Sequence, residues 1–564
     1  VTWGVRWQQE EYFANLAVRL AGVDPERLGE LAEKAGRLPE PVFDALLDRL
    51  RSPEVVELPE SLRVEVWQPL EQTLITHRKF ADAEWVLPDD KLRELKAIAR
   101  ILSPHSPRLI HRRLFTDSSL DLFELLGDYE RQHALLAKRR RAAVREVSAA
   151  EGPQGVVELA RAVESPSLVG IAYGEVGSRA SDRKLLPSML EPERGPDFSF
   201  IAGYVGSRYR RRGLQWVESL PLMRWPVVTQ GKLLSLLPFD EPTWSLVDKY
   251  LAGNVGEYWT RVSAQPYQAD GNLALASDQL ITHKRPGAAV HCLHWLHRST
   301  NTVDVPRFIE ALLSAARAAD LGAVDRYEIA ELIIALQQDH NADPAGVSKV
   351  EWAYLEILDG LHGHARPKTL EARMASDPEF FCEVVRLAYR STKQTQAGVD
   401  SGAESEELIL NASSLLTNWR TVPGSTGNGE VDVGYLKEWL QTVRTMCEES
   451  GHSGSGLVTV GRVLTNAPPD PDGRWIHRGV AELLNEQDGD DLRSGYRVGT
   501  YNSRGVHWVD PSGEPERELA RGFRERAELV EAVGLHRLGA TLRQLADGYE
   551  SEAEGLLSRN EDDG

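Results

Sequence analysis

Four metal-ligating side chains, His291, Cys292, His294 and His297, fall within the single stretch HCLHWLH. Nitrogen and thiolate donors of this kind suit zinc or another borderline metal when they converge. On a helix they do not converge, because 291 and 294 are near neighbours while 297 has rotated away, and no carboxylate motif accompanies them in the sequence. The stretch therefore reads as the polar edge of a partly buried helix, and no metal is assigned. His362 and His364 add a second pair without changing that reading.

Two glycine-rich stretches invite other chemistry. In GHSGSG (451–456) a nucleophile elbow would place Ser453 on a strand-to-helix turn, but Ser455 stands where the closing glycine belongs and MCEES before it ends a helix. A phosphate-cradling loop needs Gly, four residues, then Gly-Lys-Ser/Thr. Gly231-Lys232 has Leu233 after it and Pro226 at the first glycine position, and PGSTGNG (423–429) lacks the lysine. No cofactor is assigned.

The elements that must position these residues follow a helical grammar. NLALASDQLITHKRPGAAVHCLHWL (272–296) repeats the centre of QTLITHRKFADAEW (72–85). Each copy predicts an apolar helix running into Leu-Ile-Thr-His, a basic pair, and a second helix opening around Ala83 or Ala289 whose small residues allow close packing. His77 and His283 sit at helix ends, where a cap or dipole partner is the commoner role than a catalytic one. In VDPERLGELAEKAG, Asp24 is an N-cap, Pro25 the first helical residue and Gly36 a stop; Asp240 or Glu241 before Pro242 opens another helix, with Trp244, Leu246, Val247 and Tyr250 on its inner side. In the first half of the chain only Val55–Trp67, β-branched and partly alternating, predicts a hairpin or buried extended linker.

The chain has 564 residues, 41% of them hydrophobic and 27% charged, and a formal net charge of −20. That composition is soluble and folded, and no run approaches the roughly 20 apolar residues of a membrane span. The acidic balance disfavours a general nucleic-acid surface, leaving KRRRAAVR (138–145) and RYRRR (208–212) as local exceptions or solvated faces. Cys292, Cys382 and Cys447 are too scattered for a disulfide framework, which fits a reducing cytoplasm. The opening at Val1 reads as the interior of a larger protein.

Composition divides the chain into N-terminal helical repeats (1–150), a central helical-repeat region (151–393), a polar linker or mobile loop (394–407) and a Gly-rich C-terminal helical subdomain (408–564). The expected fold is all-α, an α-solenoid of antiparallel helix pairs of the TPR/HEAT kind with the smaller C-terminal subdomain. Between two helical regions, GTYNSRGVHWVDPSG (499–513) predicts a long loop, and such loops are functional when ordered. Asn502, Arg504 and Trp508 are its candidate binding residues; alternatively Arg504 caps helix carbonyls or pairs with Glu514 or Glu516.

LLPFDEPTW (236–244), GEYW (256–259), LITHKRPGAAV, KVEWAYLEILDG with DPEFF (349–381) and NSRGV with PERELA (502–520), in that order, resemble the C-terminal helical-repeat sensor of very large bacterial antiphage proteins of the STAND-NTPase, or Avs-like, type. The resemblance implies an effector and an NTPase module elsewhere in a parent chain and supplies no catalytic residue. The expectation is a non-enzymatic cytoplasmic sensor or scaffold that binds a protein such as a phage protein, without membrane contact and with oligomerisation open. The alternative is a hydrolase-like enzyme built on the C-terminal glycine loops, in which His477, His507 or Asp510 would meet Ser453.

Overall fold

The computed structural model describes residues 2–562 apart from 81–82, 84, 116–127, 270–271, 319–324, 361–364, 393–402, 427–428 and 506–509; at 2–10, 79, 360, 403–405 and 557–562 it describes backbone only. The described residues form thirty α-helices and no strand, with one isolated antiparallel bridge between Ser425 and Val431. The protein is all-α, and no described helix is long and apolar enough to cross a membrane. It divides into two compact units, Val1–Asp270 and Gly271–Gly564. The boundary drawn at 150 lies within the first, beside a kink at Gly152 (φ 73°) in helix Tyr129–Arg161. Of the expected linker, 394–402 lies outside the described residues, while 403–407 begin helix Ala403–Asn418.

Local sequence explains most helix starts. Asp24, Asp343 and Asp377 each precede a proline, and each side chain accepts hydrogen bonds from amides of the following first turn, which proline's fixed φ already favours. Asp240 does the same through Thr243 N at 2.9 Å, and Trp244, Leu246 and Val247 are buried as expected. The Val55–Trp67 segment is helical rather than extended, divided between Pro53–Val56 and Glu60–Lys79. Val66, Leu70 and Leu74 recur every four residues and are all buried, so burial along a helical stripe overrides the β preference of the valines.

The two LITH copies are not the same hairpin. In the second unit Leu273–Thr282 ends in a Schellman cap: Lys284 adopts φ 60°, Arg285 N donates to Leu280 O and Lys284 N to Ile281 O. Pro286 then starts Pro286–Thr300, with Ala289 fully buried. In the first unit the helix runs through His77 to Lys79, and the next helix starts at Asp89, so Ala83 lies in the connector and opens no helix. That copy has no proline after its basic pair to restart a helix at once.

Close crossings in both units are made by glycine. Pro166–Val176 crosses Gly195–Arg212 so tightly that a Cβ on Gly170 would lie 2.0 Å from Phe200 O, and one on Gly203 2.4 Å from Ser167 O. In the second unit Ser453–Val463 crosses Asp490–Asn502, where a Cβ on Gly461 would lie 2.1 Å from Leu492 O and one on Gly495 2.0 Å from Val458 O.

Helix Gly195–Arg212 contains its own control, because a Cβ on Gly206 meets nothing within 4 Å. Gly203→Ala should lower unfolding free energy by about 1–3 kcal/mol through overpacking, whereas Gly206→Ala should raise it by about 0.5–1 kcal/mol through helix propensity. Chemical denaturation of the two variants measures both signs; equal effects would refute the close crossing.

Candidate recognition cleft

In the second unit, helices Val305–Arg317, Pro344–Ala353, Lys368–Ser376, Pro378–Ala388 and Ala403–Asn418 line a cleft of about 650 Å3. Two buried carboxylates fix its walls. Glu351, fully buried, accepts from Thr369 N (2.9 Å), Leu370 N (2.7 Å) and Gln337 Nε2 (2.7 Å), tying its helix to the N-terminus of Lys368–Ser376, where a negative group is favoured. Burial nevertheless holds its pKa above the usual carboxylate range, against the pull of those hydrogen bonds. Glu371, 1% exposed, accepts from Arg420 N (3.0 Å), Thr421 N (3.1 Å) and Thr421 Oγ1 (3.0 Å) and pairs with Arg366, anchoring the chain that leaves Ala403–Asn418. Tyr354 OH donates to Leu312 O at 2.7 Å, closing the opposite side.

Within this frame Leu313, Trp352, Leu370, Phe380 and Leu408 provide an apolar lining, and Arg317, Lys349, Arg373 and Glu407 stand around it. The Arg373 guanidinium lies 3.9 Å from the Phe380 ring centroid, a cation–π arrangement. Leu408, Ile409 and Leu410 are 42–68% exposed on consecutive positions of one helix. A half-buried Trp beside exposed Arg and aliphatic groups is what protein interfaces anchor on. These residues were not picked out as a site in the sequence, though one signal was present. Three consecutive apolar residues sweep about 200° of a helix at about 100° each, so they cannot all face one core.

The residues chosen from sequence meet other fates. Gly499–Asn502 belong to helix Asp490–Asn502 rather than to a loop, because Gly499 packs that helix onto Arg462 and Thr465. Asn502 is its last residue and its carbonyl accepts from Gly505 N. Arg504 donates to Glu516 Oε1 at 2.6 Å, and Glu516 is 2% exposed, so Arg504 has the structural pairing. Trp508 and His507 lie outside the described residues, as do His362 and His364. For the hydrolase alternative, His477 accepts from Gly479 N as a helix cap, Asp510 accepts from Ser512 N, and no hydrogen bond joins either to Ser453 among the described residues.

The HCLHWLH helix acquires a carboxylate from a helix distant in sequence. His291 Nδ1 lies 2.7 Å and His294 Nδ1 3.6 Å from Glu328 Oε1, while His297 Nδ1 faces Thr302 O at 3.1 Å. Burial pushes the Cys292 thiol up to about 12. Among the described residues no group of three or more His, Cys, Asp or Glu is arranged to hold a metal ion. The basic segments are partly engaged internally: Arg140 donates to Leu114 O, Arg141 pairs with Glu175, and Arg208 pairs with Asp182. His283 is half-buried at its helix end, whereas His77 is buried inside its helix and accepts from Leu87 N at 3.1 Å.

Comparison with protein-family models, with curated proteins and with solved structures finds no match.

Burial lowers the pKa of His77 below its ordinary 6.5, and that of His294 likewise. A depressed histidine favours folding when neutral, so its contribution is complete above the unfolded value of about 6.5 and declines as pH falls toward the folded value. The melting temperature should therefore fall on acidification from neutrality, and His77→Gln should flatten part of that slope; an unchanged slope would refute the assignment. Arg504→Ala leaves a buried carboxylate without its cation and should reduce unfolding free energy by about 1–3 kcal/mol in denaturant titrations. Adding Glu516→Gln should recover part of the loss, and a stability unaffected by Arg504→Ala would return that arginine to a surface role.

Proposed function

We propose that this chain is a recognition region that binds a protein partner through the cleft beside Trp352, Phe380 and Leu408. What carries the reading is the cleft's composition: an apolar lining under Arg317, Lys349 and Arg373, with Glu407 the one acidic residue among its described lining, in a chain of net charge −20. A partner segment that is apolar on one face and acidic at its edge complements both features, in the manner of an amphipathic helix lying in a groove. The proposed architecture is a solenoid of antiparallel helix pairs, and the resemblance to antiphage STAND proteins supports proposing the chain as a sensor portion of that kind, with a phage-encoded protein as partner and effector and NTPase modules in the parent chain.

The test is selection of displayed helical peptides against the full chain. Enriched sequences should combine apolar residues at helical spacing with Asp or Glu, and their affinity should fall about tenfold or more in Lys349→Glu and in Leu408→Glu, a change of about 1.4 kcal/mol or more. Both side chains are exposed, so the melting temperature should stay constant. Absence of enrichment, or peptides that bind both variants as well as the parent, would remove the cleft as the recognition site.

A further inference from the structure

The first unit contains a second, smaller cavity of about 330 Å3, lined by the Ser188–Leu190 turn, helix Gly195–Arg212, helix Val227–Leu234 and the segment after Gly256–Trp259. Gly231 creates it: a Cβ there would lie 2.7 Å from Glu257 O, so only glycine lets the two short helices meet and brings Lys232 and Arg261 to one rim. Leu190, Phe198, Ile201 and Leu236 form the apolar part. The Lys232 side chain is 16% exposed and its Nζ donates to Glu191 O at 2.9 Å, which fixes the ammonium in place. Arg261 is fixed by Glu257 at 2.6 Å.

Over this pair sits Glu193. A single oxygen, Oε1, lies 3.3 Å from Lys232 Nζ and 3.8 Å from Arg261 Nε, and the Glu193 side chain is 65% exposed. Ion pairs this long and this exposed are weak and readily exchanged. Arg194, exposed, lines the same cavity. The chain thus presents one of its own carboxylates, loosely seated, on two well-held cations at the mouth of an apolar pocket.

We propose that this pocket binds a small carboxylic acid with an apolar body, whose carboxylate replaces that of Glu193 on Lys232 and Arg261 while the body packs on Leu190, Phe198, Ile201 and Leu236. The volume falls at the lower end of small-molecule sites, and a few fixed polar groups beside an apolar wall are their usual composition. Displacement of Glu193 is inexpensive because its carboxylate is already largely hydrated. A neutral analogue of the same shape gains the packing without the charged contacts, so affinity should discriminate acid from amide.

The experiment is isothermal titration of the full chain with straight-chain and phenyl-substituted carboxylates of about four to eight carbons, a size chosen for this volume, and with their primary amides. At least one acid should bind at one equivalent, with its amide about tenfold weaker or more. Glu193→Gln removes the competing charge from an exposed position and should tighten the acid by about threefold or more; Lys232→Met and Arg261→Met should each weaken it about tenfold. Should Lys232→Met fail to fold, Glu193→Gln and Arg261→Met still decide. No saturable binding across the panel, equal affinity for acid and amide, or a Glu193→Gln variant that binds no tighter overturns the proposal.

Discussion

Backbone-to-backbone contact at helix crossings is the constraint on which the rest depends. Helix axes ordinarily lie 8–10 Å apart because side chains occupy the space between them. Where glycine faces a carbonyl at the distances of Gly170 and Phe200, or Gly495 and Val458, that space is gone and the pair of helices is fixed in both angle and register. Gly29 against Glu65 O and Gly231 against Glu257 O repeat the device in the first unit. Each such glycine weakens its own helix by about 0.5–1 kcal/mol relative to alanine, and the crossing offsets this through the packing it allows on either side.

Buried ionic networks fix further elements in both units. Below the Gly170–Gly203 crossing, Asp182 accepts from Tyr204 OH (2.7 Å), Arg208 Nε and Nη2 (3.0 and 2.7 Å) and Trp216 Nε1 (3.1 Å), and Arg208 also donates to Gly177 O. Burial, with the Asp182 charge behind it, pushes the Tyr204 phenol well above its ordinary value, so it stays a donor. A carboxylate given this many donors tolerates desolvation that an isolated charge would not. Glu351 and Glu371 play the same part in the second unit, and there the held elements are the cleft's own walls. Position is set by buried charge, while Arg317, Lys349 and Arg373 stand exposed at the rim.

The helical class was legible because its signals are local. Asp-Pro starts and the inward set Trp244, Leu246 and Val247 act within a turn or two of the residues that specify them. The cleft was not, since Lys349, Arg373 and Leu408 come from three helices and none belongs to a chemical motif. Glu328 beside His291 was hidden for the same reason, being 37 residues away. The loop reading of 499–513 failed at Gly499, where the glycine that opened the expected loop serves a crossing; a single glycine is the same letter in a turn and in a close contact, and only the partner helix distinguishes them. Arg504 was read correctly in one of its two alternatives, because a cation twelve residues before Glu516 is close enough for a helix start to bring the two together.

The contrast between the two cavities follows from how their cations are held. Lys232 is clamped by Glu191 O and Arg261 by Glu257, so the positive charge occupies a fixed point and selects one anionic group at one distance. Arg373 is steered by the Phe380 face and by Asp377 at 4.0 Å, and Lys349 is exposed, so the cleft's charge spreads along a rim. A fixed pair suits a compact carboxylate, in which geometry decides affinity. A rim suits an extended partner, whose acidic groups need only lie on the correct side of an apolar stripe while burial of that stripe supplies most of the binding free energy.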